Sequence, residues 1–283
     1  MSVSPFPHCR IGDLTLTAIG DGDLAIGLDL LSGIAPDEAA HRQAAAGQVP
    51  PGSIHLNAYL VQGGGRALLI DAGAGTARPG CGGLAGGLAG LGLTPADIDA
   101  VLLTHAHPDH VGGLIDADGT AAFPRAELLV PAAELAFWRD EAHLARADER
   151  QRGQFRLARQ AFAAYQARLR PIGAGALFAG LEAVPLPGHT AGHGGYLIEG
   201  GGQSLLVWGD LVHFPAIQIP RPAVSIRFDQ DPVLAVATRA RLLDRLAADH
   251  TLVAGMHLGA AGFGWIEPGR DGLALRYRPL EPA

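Results

Sequence analysis

Apolar and polar residues alternate through Leu14-Thr15-Leu16-Thr17-Ala18-Ile19, the pattern of a half-buried strand, and Gly20-Asp21-Gly22 predicts its end. Residues 21–53 read as a long irregular loop with one or two short helices, an N-terminal extension of the kind that is often functional inside a compact domain. A hairpin follows, with Ile54 to Val61 and Arg66 to Asp71 as strands around Gly63-Gly64-Gly65. Leu84, Leu88 and Leu91 fall at helical spacing, and Thr94-Pro95 predicts another helical start. The unbroken apolar run Ala100-Val101-Leu102-Leu103 fits a strand covered on both faces. Ala126 to Val130 predicts a further strand, and residues 131–170 read as mostly helical.

The second half repeats the theme. Val184-Pro185-Leu186 leads into a glycine turn, and Tyr196 to Ile198 with Ser204 to Trp208 form a hairpin around Gly200-Gly201-Gly202. Asp231 to Asp249 predicts an amphipathic helix, with Leu234, Ala237, Leu242 and Leu246 against a polar face of Arg239, Arg241 and Arg245. Leu252 to Gly255 and Leu273 to Tyr277 close the chain as strands. Two similar halves of strand pairs and helices fit two sheets face to face with helices outside, an α/β arrangement expected to form one domain over 1–283.

At 283 residues and 48% hydrophobic content the chain can bury a large core. A net charge of −7 without a basic block predicts no nucleic-acid partner. Cys9 and Cys81 are too few for a disulfide framework and lack paired ligand spacing, so each reads as a free thiol. Met1 to Arg10 holds no apolar run suited to a signal peptide, and the glycine-rich Pro79 to Ala96 does not suit a membrane helix. The expectation is a cytoplasmic protein without membrane contact, or a periplasmic one had a leader been removed. A homodimer is the base-rate expectation for assembly.

The densest chemistry lies in Thr104-His105-Ala106-His107-Pro108-Asp109-His110, directly after the buried strand. His105 and His107, two apart in an extended segment, point the same way, and Pro108 turns the chain so that Asp109 and His110 begin a helix. Imidazole and carboxylate are ligands that zinc accepts in catalytic sites, and each ion needs three or four of them. Three more candidates stand at strand ends or glycine turns: His189, Asp210 and His257. His193 could stand in place of His189, which follows the tighter strand-to-turn transition. The cofactor expected is two divalent metal ions, zinc first, with manganese, iron or cobalt compatible with the same donors.

With Asp71 after a strand, these landmarks in this order resemble the metallo-β-lactamase fold superfamily. The resemblance implies a four-layer αββα sandwich with His105, His107 and His189 on one metal. It implies Asp109, His110 and His257 on the other, Asp210 between the two, and Asp71 behind the histidine loop. Within the superfamily the chain looks most like the methyl parathion hydrolase group and its lactonase relatives, through Asn57-Ala58-Tyr59-Leu60-Val61, Thr104 to Gly113, Phe137-Trp138, Pro187 to His193 and the ending at Leu258. It departs from the acyl-homoserine lactonases in one respect. Three residues after the bridging aspartate they carry tyrosine, where this chain has His213. The true β-lactamases of the fold usually lack the bridging aspartate, which argues against antibiotic hydrolysis. The scattered Arg270, Arg276 and Arg278 do not make the basic patch of the glyoxalase II relatives.

The expected reaction is hydrolysis of a lactone or aryl ester by a hydroxide shared between two metals, with organophosphate triesters as secondary substrates. Asp109 is the candidate for moving the proton. His213 is the candidate for contacting a substrate carbonyl or protonating a leaving oxygen. Trp138, Phe155, Phe214 and the 21–53 segment are the candidate walls of an apolar pocket. The alternatives are a phosphotriesterase as the main activity and an iron-dependent dioxygenase of the same fold; the latter uses one iron and only part of this ligand set.

Overall fold

The computed structural model describes residues 6–76 and 78–279. Residues 1–5, part of the N-terminal stretch read for a leader, lie outside the described residues. Two seven-stranded sheets carry the architecture. In the first, His8–Ile11, Leu14–Ala25, Ser53–Gly63, Arg66–Ile70, Ala100–Leu102, Glu127–Pro131 and Leu169–Ile172 lie side by side in chain order. In the second the order across the sheet is Gly272–Tyr277, Phe263–Gly269, Leu252–Ala254, Gln203–Val207, Gly194–Gly200, Leu181–Pro185 and Gly175–Phe178.

Side-chain alternation decides the layers. Leu68 and Ile70, Ala100 and Leu102, and Leu129 point inward, where they meet Leu205, Val207, Leu252 and Ala254 from the other sheet. Leu69, Val101, Leu128 and Val130 point outward, beneath Leu84 and Leu88 of one helix and Phe155, Ala158 and Phe162 of the Glu149–Ala164 helix. On the far side Leu206 and Val253 pack under Leu243 and Leu246 of the Pro232–Asp249 helix. Strands covered on both faces must be apolar at every position, which explains the unbroken runs. The result is the expected αββα sandwich.

Parallel neighbours bring the functional loops to one end. Arg66–Ile70, Ala100–Leu102 and Glu127–Pro131 run parallel, as do Gln203–Val207 and Leu252–Ala254. Their carboxyl ends deliver Asp71, Thr104, Asp210 and His257 to the same edge. In a parallel register the loops after the strands must share one side.

Several expectations shift. The Leu14–Ala25 strand does not stop at Gly20-Asp21-Gly22, which is a bulge within its pairing to Ser53–Gly63. The bulge turns Asp21 inward, where its carboxylate accepts the Ala74 and Leu84 N–H groups and fixes the loop after Asp71. The 21–53 segment is therefore more ordered than a loop: it finishes that strand and adds the helix Pro36–Ala45. Helix ends before 169, because Leu169–Ile172 pairs with Glu127–Pro131. Strands His8–Ile11, Gly175–Phe178 and Phe263–Gly269 gave no clear pattern, being short or broken by glycine and proline. Arg239, assigned to a polar helix face, is 1% exposed. Its guanidinium binds the carbonyls of Leu211, Pro222 and Val224. No helix among the described residues is long and apolar enough to cross a membrane.

Tyr59 stitches the sheets together at the functional edge. Its buried hydroxyl lies 2.7 Å from the Gly262 carbonyl and 2.9 Å from that of Gly255, and it accepts the Gly255 N–H. Tyr59→Phe strips these groups of a partner without removing the ring. Urea unfolding should show a loss of about 1–3 kcal/mol, and an unchanged midpoint would show that the hydroxyl bears no such load.

Candidate metal centre

Seven side chains from distant parts of the chain meet at the carboxyl ends of the strands. One set is His105, His107, His189 and Asp210; the other is Asp109, His110, Asp210 and His257. In each set the candidate ligand atoms lie within 4.8 Å of one another. Asp210 belongs to both: Oδ1 is 3.2 Å from His110 Nε2 and 3.2 Å from His257 Nε2. Its Oδ2 is 3.7 Å from His105 Nε2 and 3.5 Å from His189 Nε2.

Hydrogen bonds behind the rings decide which nitrogens face inward. Asp71 accepts the Thr104 N–H at 2.8 Å, the Thr104 hydroxyl at 2.7 Å and His110 Nδ1–H at 2.7 Å. The Thr104 oxygen in turn accepts His105 Nδ1–H at 3.0 Å. His189 Nδ1–H donates to Asp229 at 2.8 Å, and His257 Nδ1–H donates to the His55 carbonyl at 3.0 Å. With Nδ1 protonated in these four rings, every Nε2 is the atom left to face the centre. His107 is the exception in using Nδ1, which sits 3.0 Å from His105 Nε2 and 2.9 Å from His189 Nε2.

Such an arrangement fits divalent cations. His105 Nε2, His107 Nδ1 and His189 Nε2 converge within about a hydrogen-bond length, and His105 and His189 have their ring protons committed at Nδ1. His110 Nε2, His257 Nε2 and Asp210 Oδ1 are buried without any hydrogen-bond partner, an arrangement that is costly unless something positive binds them. Burial, reinforced by neighbouring rings, drives His105 and His107 well below the usual histidine range, toward the neutral form that binds metal. Burial also opposes charge on His110 and His257, but Asp210 and Asp109 outweigh it and draw protons to them. Burial likewise works against the charge of Asp210, and His110, His257 and His213 overcome it, so its carboxyl stays well below the usual range. The same anionic field would hold cations.

Local backbone explains how the loops reach these positions. Asp71 adopts φ 59°, a left-handed conformation unusual for a residue with a Cβ, and its three hydrogen bonds hold it there. Gly209, also at φ 59°, has no alternative: a Cβ would lie 2.4 Å from His193 Nε2. That nitrogen accepts the Asp210 N–H, while His193 Nδ1–H donates to the Leu186 carbonyl. Burial pushes His193 down to about 3, which keeps it neutral and able to accept. His189 therefore stands in the cluster and His193 beneath it.

Two bracing residues escaped sequence reasoning. Glu134, fully buried, accepts the Ala106 N–H and the Trp138 indole N–H on one oxygen. Its other oxygen accepts the Thr190 hydroxyl and the Gly192 N–H. It thus ties the His105–His107 loop to the His189 loop. Asp229 holds His189 and is itself 3.6 Å from Arg239. In the sequence Glu134 looks like any helical glutamate and Asp229 like a turn residue before the helix cap at Asp231; no local pattern marks either.

The remaining candidates sort differently. His213 donates Nε2–H to Asp210 Oδ2 at 3.1 Å and stacks on His257 with ring centroids 5.1 Å apart. Its Nδ1 is buried and unpartnered, while its Nε2 is tied to the shared carboxylate. Burial lowers it against the pull of Asp210, which favours the neutral ring. His213 and His257 border a cleft of about 320 Å³ whose wall includes Ile54, Pro215, Leu273 and Leu275, with Arg42 and Gln48 from the 21–53 segment. Phe214 is not part of that wall: it is fully buried against Leu31, Ile54 and Ile226, because the chain turns into a short helix at Pro215. Trp138 and Phe155 pack edge to face and border a separate cleft beside His107 that is far more polar than the expected pocket.

A family model described as the metallo-beta-lactamase superfamily matches residues 54–257. A human metallo-beta-lactamase domain-containing protein 1 is 36% identical over 110 residues, covering 39% of this chain and 35% of that protein. Matches of this kind span between 22% and 39% of the length of the curated relatives. Among solved structures, hydrolase AbOPH of the beta lactamase superfamily superposes with a TM-score of 0.91 at 29% identity, covering 100% of both chains. AidC, a dizinc quorum-quenching lactonase in complex with a product, superposes with a TM-score of 0.90 at 24% identity over 98% of each chain, a likeness of fold.

Bracing of this kind has a measurable consequence. Glu134→Gln keeps the shape but replaces one acceptor oxygen with an amide donor facing an N–H or O–H. Metal affinity, read by competition with a chromophoric chelator, should fall by about 10–100-fold. Unchanged affinity would show that the two histidine loops hold their places without it.

Proposed function

Since the chain belongs to the metallo-beta-lactamase superfamily, we propose that it is a dinuclear metal-dependent hydrolase of lactones or aryl esters, with organophosphate triesters as secondary substrates. The observation that carries this reading is the pair of donor sets joined through Asp210, with unpartnered ligand atoms buried between them. Its likeness along the full chain to hydrolase AbOPH supports a hydrolase.

His105, His107 and His189 would hold one cation and Asp109, His110 and His257 the other, with Asp210 belonging to both sets. When bound, two such cations lower the pKa of a shared water to near neutrality and polarise the oxygen of the attacked bond. Zinc suits this mixture of imidazole and carboxylate, and manganese, iron and cobalt remain compatible with it.

The chain's own groups supply the rest. Asp109 is 19% exposed while the other members of the cluster are buried, so its carboxylate has lone pairs free to orient the attacking water and accept its proton. His213 acts through Asp210: its N–H holds Oδ2, the oxygen facing His105 and His189, and thereby the spacing of the two donor sets. The cleft beside His257 and His213, walled by Ile54, Pro215, Leu273 and Leu275, offers apolar surface for an acyl chain and excludes water from the scissile bond. The apolar residues of this wall suit an acyl chain, and on that ground lactones and esters are placed ahead of phosphotriesters.

A panel of lactones, aryl esters and phosphotriesters tests the reading, assayed with and without chelator alongside elemental analysis. We expect two equivalents of metal per chain, lactone or aryl ester turnover above triester turnover, and loss of at least about 100-fold on metal removal. Lactone hydrolysis that survives complete metal removal would overturn the chemistry. For His213, exchange of the variants with a competing chelator separates positioning from substrate contact. His213→Ala should release metal faster than the native chain and His213→Gln, which keeps a donor, should recover part of the difference; equal release from all three would exclude a role through Asp210.

A further inference from the structure

The second cleft, of about 380 Å³, reaches the cluster at a different residue, His107, which forms part of its wall. Its other lining residues include Arg146, Arg150 and Arg227, together with the rings of Phe155 and Phe228. The three arginines differ from their neighbours. Arg156 and Arg159, on the same Glu149–Ala164 helix as Arg150, pair with Glu149 and Glu141. Arg146, Arg150 and Arg227 form no ion pair among the described residues. The one carboxylate in the cleft, Asp148, is engaged as a helix cap, accepting the Gln151 N–H at 2.8 Å. A chain of net charge −7 therefore concentrates unpaired positive charge beside its candidate metal centre.

The arrangement is shaped as well as charged. The Arg150 guanidinium lies 4.3 Å from the Phe228 ring centroid, a cation–π contact that restrains the group without using its N–H donors. Partial burial, opposed by Asp148 and reinforced by Arg227 and Arg78, lowers Arg150 below its ordinary value. An anion between these groups would relieve that repulsion, and a planar fork of donors suits carboxylate or phosphate oxygens. The two clefts border different members of the cluster, His257 and His213 for one and His107 for the other.

We propose that this cleft binds the anionic end of the substrate, so that the preferred ester or lactone carries a carboxylate or phosphate on the side of the scissile bond facing His107. The proposal rests on the hydrolase reading above. The apolar portion lies in the cleft by His257, the scissile bond at the cluster, and the anion against Arg150 and Arg227, with Phe155 and Phe228 flanking the link between. A neutral phosphotriester offers nothing to these arginines, and a simple lactone uses only half of the available surface.

Two esters with the same scissile bond test it: 4-acetoxyphenylacetate and its neutral methylamide, compared in the metal-loaded protein and in Arg150→Gln/Arg227→Gln. Both substituted residues are exposed, so the fold should tolerate them. The ratio of kcat/KM for the anionic over the neutral ester should be about tenfold in the native chain. It should fall toward one in the double variant and in high salt. A ratio near one in the native chain, or a ratio that the double variant retains, overturns the proposal. If the methylamide is hydrolysed in a chelator-sensitive way at a ratio of one, the anion cleft fails while the hydrolase reading stands. If neither ester turns over, the hydrolase reading fails for this class, and calorimetric titration with phenylacetate and with inorganic phosphate decides the cleft. Binding of either that the double variant loses supports it, and the stronger of the two identifies the anion; absent binding, or binding equal in both proteins, overturns it.

Discussion

The burial of Asp210 among imidazoles is the constraint on which the rest of the centre depends. A carboxylate 2% exposed is unfavourable unless positive or donating groups surround it, and here they come from both sheets. His105, His110, His189, His213 and His257 approach from loops at the same edge, and the backbone N–H of Asp210 is held by His193. Each oxygen faces a different donor set, so the carboxylate fixes the distance between the two. Move it, and neither set is complete.

What keeps the side chains in place is a frame of buried polar residues whose partners are mostly backbone. Tyr59 and Asn57, on one sheet, bind carbonyls in the loop that carries His257 on the other. Tyr196 makes the reciprocal link by donating to the Leu103 carbonyl at 2.6 Å, one residue before Thr104. Glu134 joins the two remaining histidine loops, and Asp229 with Arg239 anchors the helix behind them. These contacts cross between layers that share only an apolar core. An apolar core alone can tolerate small slips, whereas hydrogen bonds at the edge impose a single register.

The sequence carried the layers and the candidate metal-binding side chains clearly. Covered strands such as Ala100–Leu102 need apolar residues on both faces, and that need leaves an unbroken run that no loop would show. His105, His107, Asp109 and His110 are crowded into one turn, and His189, Asp210 and His257 each stand at a strand end or glycine turn; the family resemblance then implied that they share one edge. The bracing residues were illegible because their role is set by tertiary contact. Glu134 and Arg239 occupy helix positions that periodicity assigns to solvent, yet both are buried. Phe214 was misplaced for the opposite reason: aromatic character marks a residue for burial but does not say whether the buried side is a pocket or the core. His213 was singled out by its position three residues after Asp210, and its neighbour along that turn proved to be Asp210 itself.

Anomalous diffraction from crystals grown with zinc, recorded on both sides of the zinc absorption edge, tests the shared carboxylate most directly. Two peaks per chain should appear, one among His105 Nε2, His107 Nδ1 and His189 Nε2, the other among Asp109, His110 Nε2 and His257 Nε2, with Asp210 between them. A single peak, or two peaks that leave Asp210 in contact with only one, would contradict it.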